Sequence, residues 1–491
     1  MRCSAYDSRW SRRGPAGWKV AMRSTTTSCS MRDRPEGVQM GNLSSASRVV
    51  DVDASVDAAP VGRHLLLVMV LCSLVALLDG FDTLAITYAA PLIAQAWKLP
   101  KEAFGPIFAA HYAGAALGAG LFGLLADRIG RRPAILAATA TFGLFALATP
   151  LSEGVVPLLI LRGLTGLGLG GALSNVIALV SEYAPGRVRA TMVSVMYAAF
   201  PLGGVIGGPL SAHVLAQHGW QAVFVIGGLA PLALLAALWF LLPESVRFLA
   251  ARHAPADRIA AQLRRLDPKR GFGKDDRYVL AAAGERSHGA LRLILSGDHL
   301  RSSLMLGGAS FVTQMVIVYI ITWMPTLLLA SGLDLSQAIW TSATFSLGGI
   351  LGSLLLARII DRVDAPWPLT AAFAASGFAI AAVGLGPSER VVLLAAVAQA
   401  GGLIVGAQVN LSAYCATVYP TEIRSTGLGW IIGLGRIGAI CGALLGTAFV
   451  ALGLTLPWQY GISGLAALCT ALLVHMARRK RGEAAAVSVS A

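Results

Sequence analysis

Four charged residues stand inside apolar sequence. Asp79 and Asp82 lie in Leu78-Asp79-Gly80-Phe81-Asp82-Thr83, Arg162 follows Leu161, and Arg436 lies in Gly433-Leu434-Gly435-Arg436-Ile437-Gly438. A charge at the centre of a membrane-spanning helix costs about 2.5–3.5 kcal/mol even on the lenient insertion scale, so each needs a chemical reason. Carboxylates three residues apart share one helix face. Burial and mutual repulsion both favour their neutral form, which equips at least one of Asp79 and Asp82 to load and release a proton; a helix break loosened by Gly80 is the other reading. A guanidinium holds a carboxylate through two parallel hydrogen bonds, so Arg436 calls for an anion, either a bound one or an aspartate such as Asp79. Arg162 reads as a coupling or gating cation rather than a direct ligand. For His111 a proton-relay role and a helix-packing role are both open.

Further polar and aromatic groups accompany these charges. Phe81, Phe108, Tyr112, Phe311, Tyr319, Trp323 and Trp430 offer surfaces on which a ring can stack, and Gln314 and Asn410 add amides within apolar segments. Asp127 with Arg128 and Arg131, and Glu182 with Arg187 and Arg189, stand at the ends of apolar runs, where charge networks can close one face of a pathway. Six cysteines form no CxxC pair and lie mostly in apolar runs, as small buried residues do; neither a disulfide framework nor a metal site is expected.

The elements that must position these residues follow from composition. The chain has 491 residues, 56% hydrophobic and 13% charged, about half the charge of an ordinary soluble domain. Apolar runs lie near 64–90, 104–126, 133–151, 155–180, 190–216 and 220–242, and again near 302–330, 337–358, 367–386, 391–417, 425–452 and 458–477. About 20 residues cross a bilayer as a helix, and backbone facing lipid must be helical, so twelve membrane helices are predicted. The net charge of +14 does not call for nucleic acid, because the basic residues fall in short loops on one side. These are Arg128, Arg131 and Arg132; Arg187 and Arg189; Arg358 and Arg362; Arg424; and 478–481, with eleven more in 243–300. The positive-inside pattern then puts both termini and the central loop in the cytoplasm. In that loop 258–266 reads as a basic amphipathic turn or two, open to an interfacial helix joining the halves, with a solvated linker the favoured reading.

A long internal repeat divides the chain. Gly114, Gly118 and Asp127 recur as Gly348, Gly352 and Asp361, 234 positions on, and Gly171, Asn175, Pro185 and Arg189 recur as Gly406, Asn410, Pro420 and Arg424, 235 positions on. Parallel repeats around a central pathway have this form, and small residues four apart let helices approach closely. The charges in the helices break the repeat: Asp79 maps to Thr313, Asp82 to Val316, Arg162 to Val397, and Arg436 back to Pro201. The predicted organisation is a disordered cytoplasmic segment 1–62, a six-helix bundle 63–242, a cytoplasmic loop 243–300, a second bundle 301–478 and a cytoplasmic tail 479–491.

Gly123-Leu-Leu-Ala-Asp127-Arg128-Ile-Gly130-Arg131-Arg132 resembles the loop motif of the major facilitator superfamily. Arg162 with Gly166 and Gly168 looks like its fourth-helix motif, and Pro243-Glu244-Ser245 like the segment after its sixth helix. The second copy of the loop motif has lost its glycines to Ala357 and Asp364, which makes gating by Asp361 and Arg362 weaker than by Asp127. Asp79-Gly-Phe-Asp82-Thr resembles the signature of the aromatic acid:proton symporter family. Arg162, Glu182, Asp361, Arg424 and Arg436 stand where its 4-hydroxybenzoate/protocatechuate permeases carry functional charges, while Ser174 and Pro366 depart from that pattern. Gly166-x-Gly168-x-x-Gly171 matches a dinucleotide fingerprint but lies in a membrane span, not a βαβ unit.

The resemblance implies an inner-membrane secondary active carrier working by alternating access, in which protons are the coupling ion and no cofactor is needed. Its expected partners are a small aromatic carboxylate such as 4-hydroxybenzoate, protocatechuate or benzoate, protons and the bilayer, with the chain acting as a monomer. Asp79 and Asp82 would couple protons, and Arg436, Phe81, Tyr112, Gln314, Tyr319, Trp323 and Asn410 would line the substrate site. Gating would fall to Arg162, Asp127, Arg128, Arg131, Glu182, Arg189, Asp361, Arg362 and Arg424. A sugar symporter is less favoured because Gln314 stands alone where sugar porters carry paired glutamines; an efflux pump and a transporter-like chemoreceptor are the other readings. An enzyme is not expected, for want of a nucleophile–base pair or metal cluster in the spans.

Overall fold

The computed structural model describes residues 48–280, 290–363, 366–386, 389–420 and 423–477. Cys3, Cys29, the tail and most of the segment expected to be disordered lie outside these residues. The elements in order are β1 (Val49–Asp51), α1 (Val52–Ala58), α2 (Arg63–Trp97), α3 (Phe104–Ile129), α4 (Arg131–Ala148), α5 (Val155–Tyr183), α6 (Arg189–Leu241), α7 (Val246–Ala251), α8 (Ala256–Leu266), β2 (Arg277–Val279), α9 (Ala290–Ile294), α10 (Gly297–Ala330), α11 (Leu335–Ile360), α12 (Pro366–Gly384), α13 (Arg390–Val418), α14 (Arg424–Ala451) and α15 (Leu456–Met476).

Eleven of these helices are long and apolar enough to cross a membrane. With 53 residues, α6 would be about 80 Å long at 1.5 Å per residue, far more than a hydrocarbon core of about 30 Å. It breaks at Gly219, whose φ of 77° and ψ of 179° are not helical and suit only a residue without a side chain. Its limbs, 189–218 and 220–241, are each long enough to cross. Twelve crossing segments therefore rest on that one glycine.

The sequence repeat is realised as repeated helix contacts. A β-carbon on Gly114 would run into the carbonyl oxygen of Gly163, and one on Gly118 into that of Leu167, so α3 lies directly on α5. In the second half Gly348 meets the carbonyl of Ala398 and Gly352 that of Gly402, which sets α11 on α13. Likewise Gly203 of α6 meets the carbonyl of Leu77 on α2, and Gly438 of α14 meets that of Phe311 on α10. Each pair follows from the first by the same 234- or 235-residue shift. Contacts this close suit interfaces in lipid, where packing rather than hydrophobic exclusion joins helices.

The halves meet at the face opposite the linker 243–296. The largest apolar cluster lies there and mixes residues of both, including Tyr88, Ile107 and Phe108 with Trp323, Leu327, Phe345 and Ala443. Phe108 meets Trp323 edge-on at 5.9 Å, and Thr447 Oγ1 donates to the Glu102 carbonyl at 3.1 Å. At the linker face the two clusters each contain residues of one half. The molecule is sealed away from the linker and parted toward it. Outside the seal lies a depression of about 310 Å³, floored by Phe104 and Trp323.

Residues 48–59 correct the expectation of a disordered segment up to residue 62. Val49–Asp51 pairs in parallel with Arg277–Val279, and Asp51 caps α1 by accepting from the backbone N–H groups of Asp53 and Ala54. Asp53 pairs with Arg247 on α7 at 2.7 Å. Asp57 pairs with Arg189 at 2.9 Å and accepts from the Gly186 N–H at 2.9 Å. The apolar face of α8, Ile259, Ala260, Leu263 and Leu266, is buried in the same cluster as Val52 and Val56. The amphipathic helix of the linker thus packs on protein, and the segment before α2 straps it to the α5–α6 loop.

Because the ion pairs are partly exposed, each contributes up to about 1 kcal/mol, beside the burial of Val50, Val52, Val56 and Ala59. In limited proteolysis of the full chain, Asp53→Ala with Asp57→Ala is expected to expose residues 48–62 to cleavage that the unaltered protein resists. Equal cleavage rates would show that the strand and Val52 and Val56 suffice.

Candidate functional site

The charged residues of the first half converge at mid-helix. Asp82 on α2 and Arg162 on α5 are both wholly buried. Arg162 Nη2 lies 2.5 Å from Asp82 Oδ2, Nη1 lies 3.2 Å from Oδ1, and Nη2 also reaches the Asp82 carbonyl at 3.4 Å. The bidentate geometry is that of a strong charge-assisted pair. The guanidinium carbon stands 5.4 Å from the Phe224 ring centre, which adds cation–π attraction. Arg162 Nε has no partner among the described residues.

Asp79, one turn away, is 4% exposed and forms no ion pair among the described residues. Thr83 Oγ1 donates to its Oδ1 at 3.2 Å. Tyr112 on α3 and Tyr197 on α6 are both within electrostatic range of its carboxylate. Gly80 lets α6 come close, since a β-carbon there would strike the Phe200 carbonyl; α2 itself runs unbroken through it.

Arg436 approaches the same region from the other half. Its Nη1 donates to the carbonyls of Ala115 and Ala116 on α3, at 3.4 and 3.3 Å. It is half-buried, Tyr197 is within its electrostatic range, and Gln314 packs against the neighbouring Gly435. Tyr197, 39% exposed and stacked on Phe200 at 6.1 Å, escaped sequence reasoning because a tyrosine in an apolar span carries no signal of its own.

Other expected lining residues are engaged in helix contacts in this structure. Phe81 is buried against Gly207 and Gly227 of the two α6 limbs. Tyr319 is buried and donates to Gln459 Oε1 at 2.7 Å, and Trp323 Nε1 donates to the Ala443 carbonyl at 3.0 Å within the seal. Asn410 donates to the carbonyls of Ser353 and Gly406. In each case a neighbouring helix supplies the partner that the sequence left unspecified.

At the linker face Arg131 joins Asp127 at 3.1 Å and Glu182 at 3.2 Å. Arg187 and Arg189 turn to the 48–59 strap rather than to Glu182, Arg187 donating to the carbonyls of Asp57 and Ala59. The Arg128 carbonyl accepts from Arg252. Asp361, Arg362 and Arg424 are exposed and form no ion pair among the described residues. Glu244, which the sequence offered only as part of Pro243-Glu244-Ser245, has a specific place here. Its Oε1 accepts from the backbone N–H groups of Arg131 at 2.8 Å, Arg132 at 3.3 Å and Ser245 at 2.8 Å, neutralising the start of α4. Gly130, at φ 108°, leaves the space that carboxylate fills. Burial pushes the Glu244 carboxyl above the usual range, a rise that the three N–H groups reduce without cancelling. Arg132 also donates to the Trp239 carbonyl.

Residues 72–334 and 306–489 match the Major Facilitator Superfamily. The chain belongs to that superfamily. Among its facilitator relatives it is 39% identical over 425 residues to the gallate transporter of Pseudomonas putida, covering 87% of this chain and 94% of the relative. It is 36% identical over 405 residues to the 4-hydroxybenzoate transporter PcaK of Pseudomonas aeruginosa, covering 82% and 90%. The crystal structure of a D-xylose-proton symporter superposes with a TM-score of 0.66 at 17% identity, covering 83% of this chain and 97% of that one; this likeness concerns the facilitator fold alone.

The positions that match Asp82 and Arg162 in the second half are Val316 and Val397, both fully buried, so this facilitator fold holds either solution. Removing one member of a buried ion pair costs about 3–5 kcal/mol, whereas apolar replacement of both is often neutral. Asp82→Ala is therefore expected to lower the yield of monodisperse protein by fluorescence-detected size exclusion, and Asp82→Val with Arg162→Met to restore it.

Proposed function

We propose that the chain is a secondary active importer of a small aromatic carboxylate, coupled to protons by alternating access. The observation that carries this reading is Arg436, a mid-helix guanidinium whose Nη1 rests on two neutral carbonyls of the opposite half. Charge-assisted bonds to a carboxylate are about twice as strong as those to neutral acceptors, so a substrate anion draws Arg436 from α3 and loosens a contact between the halves. Tyr112, Tyr197 and Gln314 supply ring and polar surface nearby. The names of the gallate and 4-hydroxybenzoate transporters support the aromatic acid as the class of substrate.

Asp79 is the proton carrier in this reading. Arg162 compensates the charge of Asp82 and leaves Asp79 without a cation, and a buried carboxylate in that position exchanges its charge for a proton. With Asp79 protonated, the substrate carboxylate enters on Arg436, the halves rock about the midplane, and proton and substrate leave on the linker side. The basic residues support a cytoplasmic location for that side in a bacterial inner membrane, and in this reading the chain acts as a monomer and needs no cofactor. Asp127, Arg131, Glu182 and Glu244 already join the helix ends of the first half while the linker face is parted, so in this reading they keep that half rigid as it rocks, and Asp361, Arg362 and Arg424 are the matching charges of the second half.

Cells expressing the chain are expected to accumulate labelled gallate or 4-hydroxybenzoate in a manner that a protonophore abolishes. Asp79→Asn is expected to remove accumulation, and Arg436→Lys, which lacks the planar fork, to weaken uptake at least about tenfold, the effect of losing roughly 1.4 kcal/mol of binding. Uptake indifferent to both the protonophore and Asp79→Asn would overturn the proton-coupled reading.

A further inference from the structure

We propose that Thr83 and His111 form a hydrogen-bond link of fixed polarity that ties protonation of Asp79 to the Arg162–Asp82 ion pair. The link rests on the reading of Asp79 as the proton carrier. Its direction follows from one end. Arginine has donors and no acceptor, and Arg162 Nη2 lies 3.4 Å from His111 Nδ1. That nitrogen must accept, so the neutral ring carries its proton on Nε2. Nε2 lies 3.4 Å from Thr83 Oγ1 and donates to it. The single hydroxyl proton of Thr83 is then directed to Asp79 Oδ1, 3.2 Å away. Arg162, His111, Thr83 and Asp79 are all buried, so no solvent competes for these bonds.

The surroundings hold the ring in place. Gly166 leaves no room for a side chain between α5 and the His111 carbonyl, and Tyr112 meets the imidazole edge-on at 5.4 Å. The charged and titratable groups facing Asp79 are Asp82 on its own helix, His111 and Tyr112 on α3, Arg162 on α5 behind the histidine, and Tyr197 on α6. A doubly protonated His111 would turn an N–H toward the guanidinium, so the link and the imidazolium exclude one another while Arg162 stays where it is. When Arg162 moves, Nδ1 loses its donor, the tautomer is released, and Asp79 loses the fixed donor that favours its charged form. By linkage, loading Asp79 must in turn bias the position of Arg162. Thr83 and His111 are thus positioning residues for proton coupling.

Two measurements test this. In the full chain labelled with ¹⁵N-histidine in lipid nanodiscs, the His111 signals are identified among eight histidines by their loss in His111→Gln. A neutral ring protonated at Nε2 at pH 7 is expected; a ring protonated at Nδ1, or at both nitrogens, overturns the link whether or not transport is proton-coupled. In uptake assays Thr83→Val removes the donor to Asp79, so the proton is held to higher pH. The alkaline limb of the uptake profile is expected to move up by about one pH unit, the scale of one hydrogen bond to a charged group, and Thr83→Ser to move it back. A folded Thr83→Val protein with an unshifted profile would refute the link, and if that variant does not fold the tautomer alone decides. Insensitivity of the unaltered protein to a protonophore would instead sink the reading of Asp79 itself.

Discussion

A lipid interior admits a charge only if the protein supplies its partner, and in this molecule that demand is concentrated at Arg162. The residue is wholly buried, and its guanidinium is compensated by Asp82 at 2.5 Å and by the face of Phe224. Much of the first bundle is arranged around this requirement. Helix α5 must bring Arg162 to α2, which fixes the approach of α3 to both through His111 and the glycines of the α3–α5 contact. Once Asp82 is committed to the arginine, Asp79 is left as a carboxylate with one threonine hydrogen bond and no ion pair among the described residues. One ion pair thereby separates two similar residues into one held by an arginine and one held by a threonine hydroxyl.

The second bundle shows what the fold needs without that chemistry. It repeats the helix contacts of the first, glycine for glycine, yet places Val316 and Val397 where the first half has the ion pair. Apolar packing at this position is therefore sufficient for architecture. The ion pair is present in one half alone, and the second half contributes Arg436, which reaches the carbonyls of Ala115 and Ala116 on the first. The two bundles thus contribute different groups to one midline region, which only a structure that brings them together can use.

The linker face is organised by backbone capping as much as by ion pairs. Glu244 collects three N–H groups at the start of α4, with Arg131 beside it bound to Asp127 and Glu182. Arg187 and Arg189 are taken up by a strand and helix from before α2, which also embrace α7 and α8. The first bundle, linker and N-terminal strap are consequently tied into one platform, while the described charges of the second bundle at that face stand free of ion pairs. With the opposite face sealed by Phe108, Trp323 and their neighbours, the asymmetry identifies which end of the pathway is open.

Apolar length, loop charge and the 234-residue repeat determined the helices, their division into two bundles and the residues that break the repeat, because bilayer thickness and the cost of lone charges act on the chain locally. Family motifs pointed to the same superfamily that the comparison establishes. Tertiary structure alone decided partnership. Nothing along the chain distinguishes Asp79 from Asp82, links His111 to Thr83, or separates Tyr197, near Arg436, from Tyr319, buried on Gln459. Nor does it reveal that Asp53 and Asp57 anchor a strap. These outcomes depend on which helix faces meet across tens or hundreds of residues, and a side chain's chemistry in a low-dielectric interior is set by the few groups it meets there.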